Sequence, residues 1–275
     1  MTRQRCDAGR VELPEAYYLP LDDDTFESTA ATTSPWDLGA QHGGPPSALI
    51  ARAVDRTTDD PAFTLARLTV DMLGPIAQGV VRTEAEVVRR GRRVEMVEAR
   101  LFTNDRLACT ATAWRVREDR ESTRHLVEPP AELPAIPETG VTSYFEGAPP
   151  EWGYGPSVEW RFVEGGFTGP VTGRARLWTR TRIPLVAGEE TDPLHRLVVI
   201  ADSTNGVSAR LPIQEWWSIP TTLTVTVERV PTDEWLWMDA ATDIGPHGRG
   251  IAHSVMSDRD GVLARVAQPL LVSRR

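Results

Sequence analysis

Asp202 is a carboxylate at a position where the surrounding sequence predicts burial. It follows a run of five apolar residues, Leu197 to Ala201, and precedes a small polar cluster. A buried carboxylate without partners costs several kcal/mol, or its pKa rises. Asp202 therefore either caps the local backbone or acts as an acid or a base.

Two further polar residues of the same half fall on apolar strand faces. Period-two alternation from Val262 to Val272 predicts one buried strand face, with Gln268 in its middle. A buried amide needs hydrogen-bond partners, so Gln268 is a candidate for the same site. Thr221 shares its face with Leu223, whereas Thr222 points to the opposite face. Thr222 remains a rival, because a shift of one residue in register exchanges the two faces.

The composition excludes several classes of function. With 275 residues, of which 40% are hydrophobic and 25% charged, the chain is typical of a soluble globular protein. The net charge of −9 argues against a nucleic-acid binder or a protein that binds anionic membranes. All 30 basic residues are arginine, which excludes a Schiff-base lysine and the lysine of a P-loop. No G-x-S-x-G or H-E-x-x-H motif occurs.

Targeting and cysteine patterns point to a cytoplasmic protein without a metal. No apolar run approaches the roughly 20 residues of a membrane span, and the first residues contain no hydrophobic signal segment. Cys6 and Cys109 match no metal or redox spacing. We therefore expect a cytoplasmic location, no membrane association, no disulfide, no metal and no cofactor.

An internal repeat predicts the elements that position these residues. Residues 63–116 and 219–272 each contain four period-two stretches, separated by turn signals in the same order. Each set reads as four antiparallel strands. One helix candidate precedes each set, at residues 45–56 and at residues 192–202, and proline suits the first turn of both.

A proline-rich stretch separates the two repeats. Residues 128–140 read EPPAELPAIPETG, a composition that disfavours regular structure and is typical of a linker. We therefore divide the chain into an N-terminal unit at residues 1–122, a linker at residues 123–155 and a C-terminal unit at residues 156–275.

The motifs in their order resemble a known family. They are HGGPPSALIARAV, RLTVDMLGPI with GRRVEMVEARLF, IADSTNG, TTLTVTVERVP and GVLARVAQPLLV. A long helix followed by a curved antiparallel sheet, twice over, resembles the α+β double hotdog fold, and most closely the TesB-like acyl-CoA thioesterases. The resemblance implies hydrolysis of an acyl-CoA, and the open sheet edges suggest a homodimer or a higher homo-oligomer.

The resemblance also implies roles for the candidate residues of the C-terminal unit. Asp202 would act as general base on a water molecule, and Thr221 and Gln268 would orient that water by hydrogen bonds. The first half has Thr112 at the place of Gln268 and Ala66 near the place of Thr221. We therefore expect one complete site and one degenerate copy.

The start of the first predicted helix is the candidate substrate-binding segment. His42, Gly43 and Gly44 are expected to face Asp202 and to offer a backbone N–H to the oxyanion. A hydratase or dehydratase that uses His42 as its base stays an alternative, as does an acyl-binding protein without activity. Trp178 and the pair Trp216-Trp217 are candidates for the wall of an acyl pocket.

Overall fold

A computed structural model describes residues 12–58, 60–119 and 131–275. The strands of the first half are β1 (Tyr18–Pro20), β2 (Thr25–Ser28), β3 (Phe63–Met72), β4 (Val80–Arg89), β5 (Val94–Thr103) and β6 (Arg106–Arg117). A 3-10 helix at Ala30–Thr32 and the helix α1 (Gly44–Asp55) lie between β2 and β3.

The second half repeats this order. Its helices are α2 (Tyr154–Ser157), α3 (Pro193–Ala201) and α4 (Thr204–Val207). Its strands are β7 (Val158–Glu164), β8 (Arg174–Thr181), β9 (Trp216–Pro220), β10 (Thr222–Val227), β11 (Leu236–Ile244), β12 (Arg249–Asp258) and β13 (Gly261–Arg274).

All strands join one antiparallel sheet, and the repeat meets itself at its centre. The order is β1-β2-β4-β5-β6-β3-β10-β13-β12-β11-β8-β7, and β9 also pairs with β13. In the seam between β3 and β10, Thr69 lies opposite Thr224, and their hydroxyl oxygens are 3.4 Å apart. The segments that echo each other in sequence are therefore direct partners in space.

Helices α1 and α3 pack against each other as well as against the sheet. A Cβ atom on Gly44 would lie 2.1 Å from the backbone oxygen of Val199, so only glycine permits this approach. In α3, the Asp192 side chain caps the N–H of Leu194, and Pro193 occupies the first turn. Burial between the sheet and α1 explains why α3 is apolar on most of its surface.

The strand expected from residue 219 onward is broken in two. Pro220 lies opposite Leu270, but Thr224 lies opposite Ala267. Between these two pairs, the chain of β9 and β10 therefore contains one residue more than the facing part of β13. The irregularity falls between Pro220 and Thr224, where β9 ends and β10 begins. The short strands β1, β2, β7 and β8 were not expected from the sequence.

The expected linker is only partly separate from the core. Residues 131–140 contain no helix or strand, and residues 123–130 lie outside the described residues. However, Trp152 and Tyr154 are buried, and the predicted boundary between residues 155 and 156 falls inside α2.

Cys109 is a free, buried cysteine, and Cys6 lies outside the described residues. Over the described ranges, no helix is both long and apolar enough to span a membrane.

Candidate active site

Asp202 ends α3 and lies at the meeting point of the two halves. Its side chain is buried, with the residue only 6% exposed. The Gln268 side-chain nitrogen, Nε2, donates to Asp202 Oδ1 at 2.8 Å and to the Asp202 backbone oxygen at 3.2 Å. The predicted proximity of these two residues is therefore present in the structure.

The Gln268 amide is fully buried and satisfied from both sides. Its Oε1 accepts the backbone N–H of Asn205 at 3.0 Å. Since Nε2 carries two hydrogens and makes two contacts with Asp202, neither hydrogen is left for a water molecule. In this structure Gln268 holds the carboxylate, and its Oε1 keeps one lone pair beyond the bond from Asn205, so its contact with a water stays a prediction.

The start of α1 packs directly against the same carboxylate. The backbone N–H groups of Gly43 and Gly44 lie close enough to Asp202 to lower the pKa of its carboxyl, and the Gly44 N–H donates to His42 Nδ1 at 3.2 Å. A Cβ atom on Gly43 would lie 2.8 Å from Asp202 Oδ2 and 2.4 Å from Met72 Cε, so the segment approaches closely only because the residue is glycine. The glycines face Asp202 as expected, and the role of their N–H groups toward an oxyanion stays a prediction.

Burial gives Asp202 an unusual pKa. Loss of solvation raises the pKa of its carboxyl from 3.8 to about 7, against the hydrogen bonds from Gln268, Gly43 and Gly44, which lower it. A carboxyl group with this pKa is about half ionised at neutral pH and binds a proton strongly enough to act as a general base.

His42 completes the cluster as a neutral side chain. Its Nδ1 lies 3.2 Å from Asp202 Oδ2 and accepts the Gly44 N–H, also at 3.2 Å. Burial lowers the pKa of His42 to about 3, so the ring is uncharged at neutral pH and the contact with Asp202 is not an ion pair.

Tyr154 fixes the plane of the His42 ring. The two rings are stacked, with centroids 3.7 Å apart and an angle of 4° between their planes. The Tyr154 hydroxyl lies 2.8 Å from the Val199 backbone oxygen, to which it donates, and 2.7 Å from the Ser203 hydroxyl. Sequence reasoning missed this residue, because it assigned residues 123–155 to a linker.

A cavity of about 890 Å³ opens beside these groups. Residues of both halves form its wall, including Asp202, His42 and Thr221. Its aromatic lining consists of Trp36, Phe145, Trp152, Tyr154, Trp160, Phe167 and Trp217. The aromatic part of the wall is therefore suited to an apolar ligand, and the Asp202 carboxylate is one of the polar groups beside it.

Comparison with known protein families covers most of the chain. A model described as acyl-CoA thioesterase N-terminal domain matches residues 32–116, and one described as acyl-CoA thioesterase C-terminal domain matches residues 130–272. The chain belongs to the acyl-CoA thioesterase family. It is thus a thioester hydrolase, as the sequence predicted. No curated protein sequence matches it.

Solved structures agree on the fold of this thioesterase. A hot dog fold protein from Alicyclobacillus acidocaldarius is 20% identical, with a TM-score of 0.71 over 94% of this chain and 97% of that one. The acyl-CoA thioesterase II TesB2 from Mycobacterium marinum is 17% identical, with a TM-score of 0.65 over 94% and 95%. A protein from Thermobifida fusca YX is 18% identical, with a TM-score of 0.72 over 94% and 96%. The predicted α+β double hotdog fold is confirmed.

The two threonines of the thioesterase have different surroundings. Thr221 lines the cavity that Asp202 also lines. Thr222 instead donates from its hydroxyl to Asp71 Oδ1 at 2.8 Å, on the other face of the strand. Of the tryptophan candidates, Trp217 lines the cavity, whereas Trp178 packs against Trp237 with ring centroids 5.5 Å apart.

The equivalent place in the first half has a different chemistry. Asp55, at the end of α1, lies 2.8 Å from His195 Nε2 and keeps 36% of its side chain exposed. Thr112 lies 3.4 Å from the Arg67 guanidinium. Among the described residues, no group of three or more histidine, cysteine, aspartate or glutamate side chains could hold a metal ion.

Proposed function

We propose that this chain hydrolyses a fatty acyl-CoA thioester to the free acid and CoA, with Asp202 as general base. The observation that carries this proposal is the buried Asp202 carboxyl, with a pKa of about 7, on the wall of a cavity that seven aromatic side chains help to line. The aromatic lining favours a hydrophobic acyl group. We assign the reaction to lipid metabolism.

The reaction needs one water, one base and no covalent enzyme intermediate. Ionised Asp202 takes a proton from the water while the water oxygen bonds to the thioester carbon, and the carbonyl electron pair moves onto the oxygen. The tetrahedral intermediate then collapses, and the carbon–sulfur bond breaks. The thiolate of CoA leaves and takes up the proton held by Asp202, which returns the carboxylate to its starting state.

Gln268 is a positioning residue in this proposal. Its amide fixes one carboxylate oxygen of Asp202, so that the other oxygen can face the water. The same hydrogen bond lowers the Asp202 pKa, so its loss should raise that pKa. Thr221 is proposed to hold the water with its hydroxyl, which its position in the cavity wall supports.

Thiol release from a series of acyl-CoAs of increasing chain length tests the activity. We expect turnover by the wild type and a loss of at least about 10²-fold in kcat for Asp202→Asn, the scale of general-base catalysis. An unchanged rate in a folded Asp202→Asn protein would exclude the mechanism. Absence of thiol release by the wild type from every acyl-CoA would exclude the function and would leave the alternative of a protein that only binds acyl groups.

Two variants separate the roles of the neighbouring residues. Gln268→Ala should shift the midpoint of the pH–rate profile upward, a change that a purely structural role would not produce. Thr221→Val should lower kcat, whereas the matched change Thr222→Val, on the opposite face, should leave it unchanged. Equal effects of the two threonine substitutions would contradict the assignment of Thr221.

His42 is poorly suited to the base role that the hydratase or dehydratase alternative requires. With a pKa of about 3, it holds a proton too weakly to be an effective base at neutral pH. The expected homodimer or higher homo-oligomer and the cytoplasmic location stay predictions. Sedimentation velocity would measure the assembly.

A further inference from the structure

We infer that the hydroxyl of Tyr154 positions the Asp202 carboxylate for the reaction, by holding the last turn of α3 in place. This inference rests on the proposed thioesterase function and adds a positioning residue to it. Asp202 directly follows the last residue of α3, so the path of its backbone depends on how that helix ends. The hydrogen bonds at this helix end therefore determine where the carboxylate lies.

The end of α3 leaves one backbone oxygen without its usual helical partner. In a continuing helix, the N–H of Ser203 would donate to the oxygen of Val199, four residues earlier. Here the Ser203 N–H donates to the oxygen of Ile200 instead, at 2.9 Å. The buried Val199 oxygen then needs another donor. The Tyr154 hydroxyl donates to it at 2.8 Å, from a position 45 residues away in sequence.

The partners of the Tyr154 hydroxyl determine where its proton lies. A phenol has one proton, and a backbone carbonyl can only accept, so the proton points to Val199. The Ser203 hydroxyl lies 2.7 Å from the same phenolic oxygen and must be the donor in that contact. The Tyr154 oxygen therefore binds the chain on both sides of Asp202, at Val199 before it and at Ser203 after it.

Other side chains hold the same turn at neighbouring carbonyl groups. The Ala201 backbone oxygen accepts the hydroxyl of Thr204 at 2.8 Å. The Asp202 backbone oxygen accepts Nε2 of Gln268 at 3.2 Å. Side-chain donors from α4, from β13 and, through Tyr154, from α2 thus converge on this turn. The carboxylate lies where these donors place its backbone.

The ring of Tyr154 is itself held firmly by its surroundings. The residue is only 1% exposed, and its backbone N–H donates to the oxygen of Thr33 at 3.4 Å. A Cβ atom on Gly153 would overlap the backbone oxygen of Ala30, so only glycine lets α2 approach the first half this closely. A hydroxyl on a fixed ring can hold α3 without rearrangement when substrate binds.

The variant Tyr154→Phe tests the inference, because it removes the hydroxyl and keeps the ring that stacks on His42. We expect kcat to fall by about 10-fold to 10²-fold with little change in KM, since a small displacement of a catalytic group costs on this scale. The matched control is Tyr17→Phe. Tyr17 is also buried, its ring lies 6.5 Å from that of Tyr154, and its hydroxyl accepts from Ser157. This control should keep the wild-type kcat and KM.

A double variant shows whether Tyr154 acts through Asp202. Tyr154→Phe combined with Asp202→Asn should have the same kcat as Asp202→Asn alone, because the residue that the hydroxyl positions is already inactive. A further fall of about tenfold in the double variant would overturn the inference. Wild-type kcat in a folded Tyr154→Phe protein would overturn it, and so would an equal fall in Tyr17→Phe.

The variant Ser203→Ala separates the two hydrogen bonds of the Tyr154 hydroxyl. It removes the bond from Ser203 and keeps the bond to Val199. We expect it to lower kcat less than Tyr154→Phe does, and a larger fall would overturn the role given to the Val199 contact. Circular dichroism and thermal unfolding check that each variant is folded.

Hydrogen exchange separates this inference from the proposed function, because it needs no substrate. The Ser203 amide hydrogen is protected by its bond to Ile200. Tyr154→Phe should speed the exchange of this amide by about tenfold or more, and Tyr17→Phe should not. Unchanged exchange in Tyr154→Phe would overturn the inference whether or not the protein hydrolyses a thioester. Faster exchange together with no thiol release by the wild type would refute the function and keep the role of Tyr154 at the helix end.

Discussion

The raised pKa of Asp202 predicts that the protein loses stability as pH rises toward 8. Moving the pKa from 3.8 to about 7 corresponds to about 4 kcal/mol of preference for the protonated form. The folded protein binds this proton more tightly than the unfolded chain does. The stabilising contribution is therefore complete below pH 3.8, and it is lost as pH rises to about 7.

The magnitude can be measured as a difference between two proteins. Between pH 5 and pH 8 the wild type should lose about 3 kcal/mol of unfolding free energy relative to Asp202→Asn, which cannot ionise at this position. His42 and Cys109 both stay neutral in the folded protein over this window, because their pKa values are about 3 and about 12. In the unfolded chain His42 titrates at its ordinary pKa of 6.5, but this contribution is common to both proteins and cancels in the difference. Groups elsewhere titrate in both proteins, so their contributions to the unfolding free energy cancel in the difference.

Urea unfolding at several pH values, followed by tryptophan fluorescence, gives the two curves. The matched control is Asp55→Asn, the equivalent position at the end of α1, where the side chain is 36% exposed. A loss of about 3 kcal/mol is not expected from this control, because its carboxylate is not enclosed as that of Asp202 is. Parallel curves for the wild type and Asp202→Asn would refute the claim that burial raises the Asp202 pKa.

Three further predictions concern the same structure. The value of kcat/KM should rise about tenfold per pH unit below about 7 and level off above it, as Asp202 ionises. Gly44→Ala should destabilise the protein strongly, since its Cβ would lie 2.1 Å from a backbone oxygen, whereas Gly206→Ala, with open space at that point, should be tolerated in thermal unfolding. Arg115→Met should cost about 3 to 5 kcal/mol in urea unfolding, because it leaves its buried glutamate partner unpaired. The exposed ion pair of Arg117 should contribute less than about 1 kcal/mol in the same measurement.

The long elements could be predicted because their pattern is local. Alternating apolar residues place Gln268 on a buried strand face whatever the neighbouring strands are, and the structure buries it. The end of α3 could be located for the same reason, since an apolar run that stops at a carboxylate marks a boundary. The repeat then gave the number of halves, because equivalent turns recur at equivalent spacing.

The contacts that complete the site could not be predicted, because they join residues far apart in sequence. Tyr154 lies beyond a proline-rich stretch, and nothing around it indicates that its ring stacks on His42. The partner of Gln268 Oε1 is the backbone N–H of Asn205. Every residue except proline carries this group, so the sequence does not mark Asn205 as the donor. The sequence also could not indicate that the start of α1 would pack directly against the carboxylate itself.

Comparison of the two helix ends explains why only one half builds a buried site. Each helix ends in an aspartate that meets a histidine from the start of the other helix, Asp202 with His42 and Asp55 with His195.

The segments that precede the two helices differ at this contact. Where the first half has His42-Gly43-Gly44, the second has Glu189-Glu190-Thr191, and Glu189 forms an ion pair with Arg52 of α1. Side chains at these positions prevent the close backbone approach that the two glycines allow. The Asp55 side chain therefore keeps its contact with solvent, whereas Asp202 is enclosed and its pKa rises. The difference between the partly exposed Asp55 and the enclosed Asp202 thus depends on two missing Cβ atoms at the start of the opposite helix.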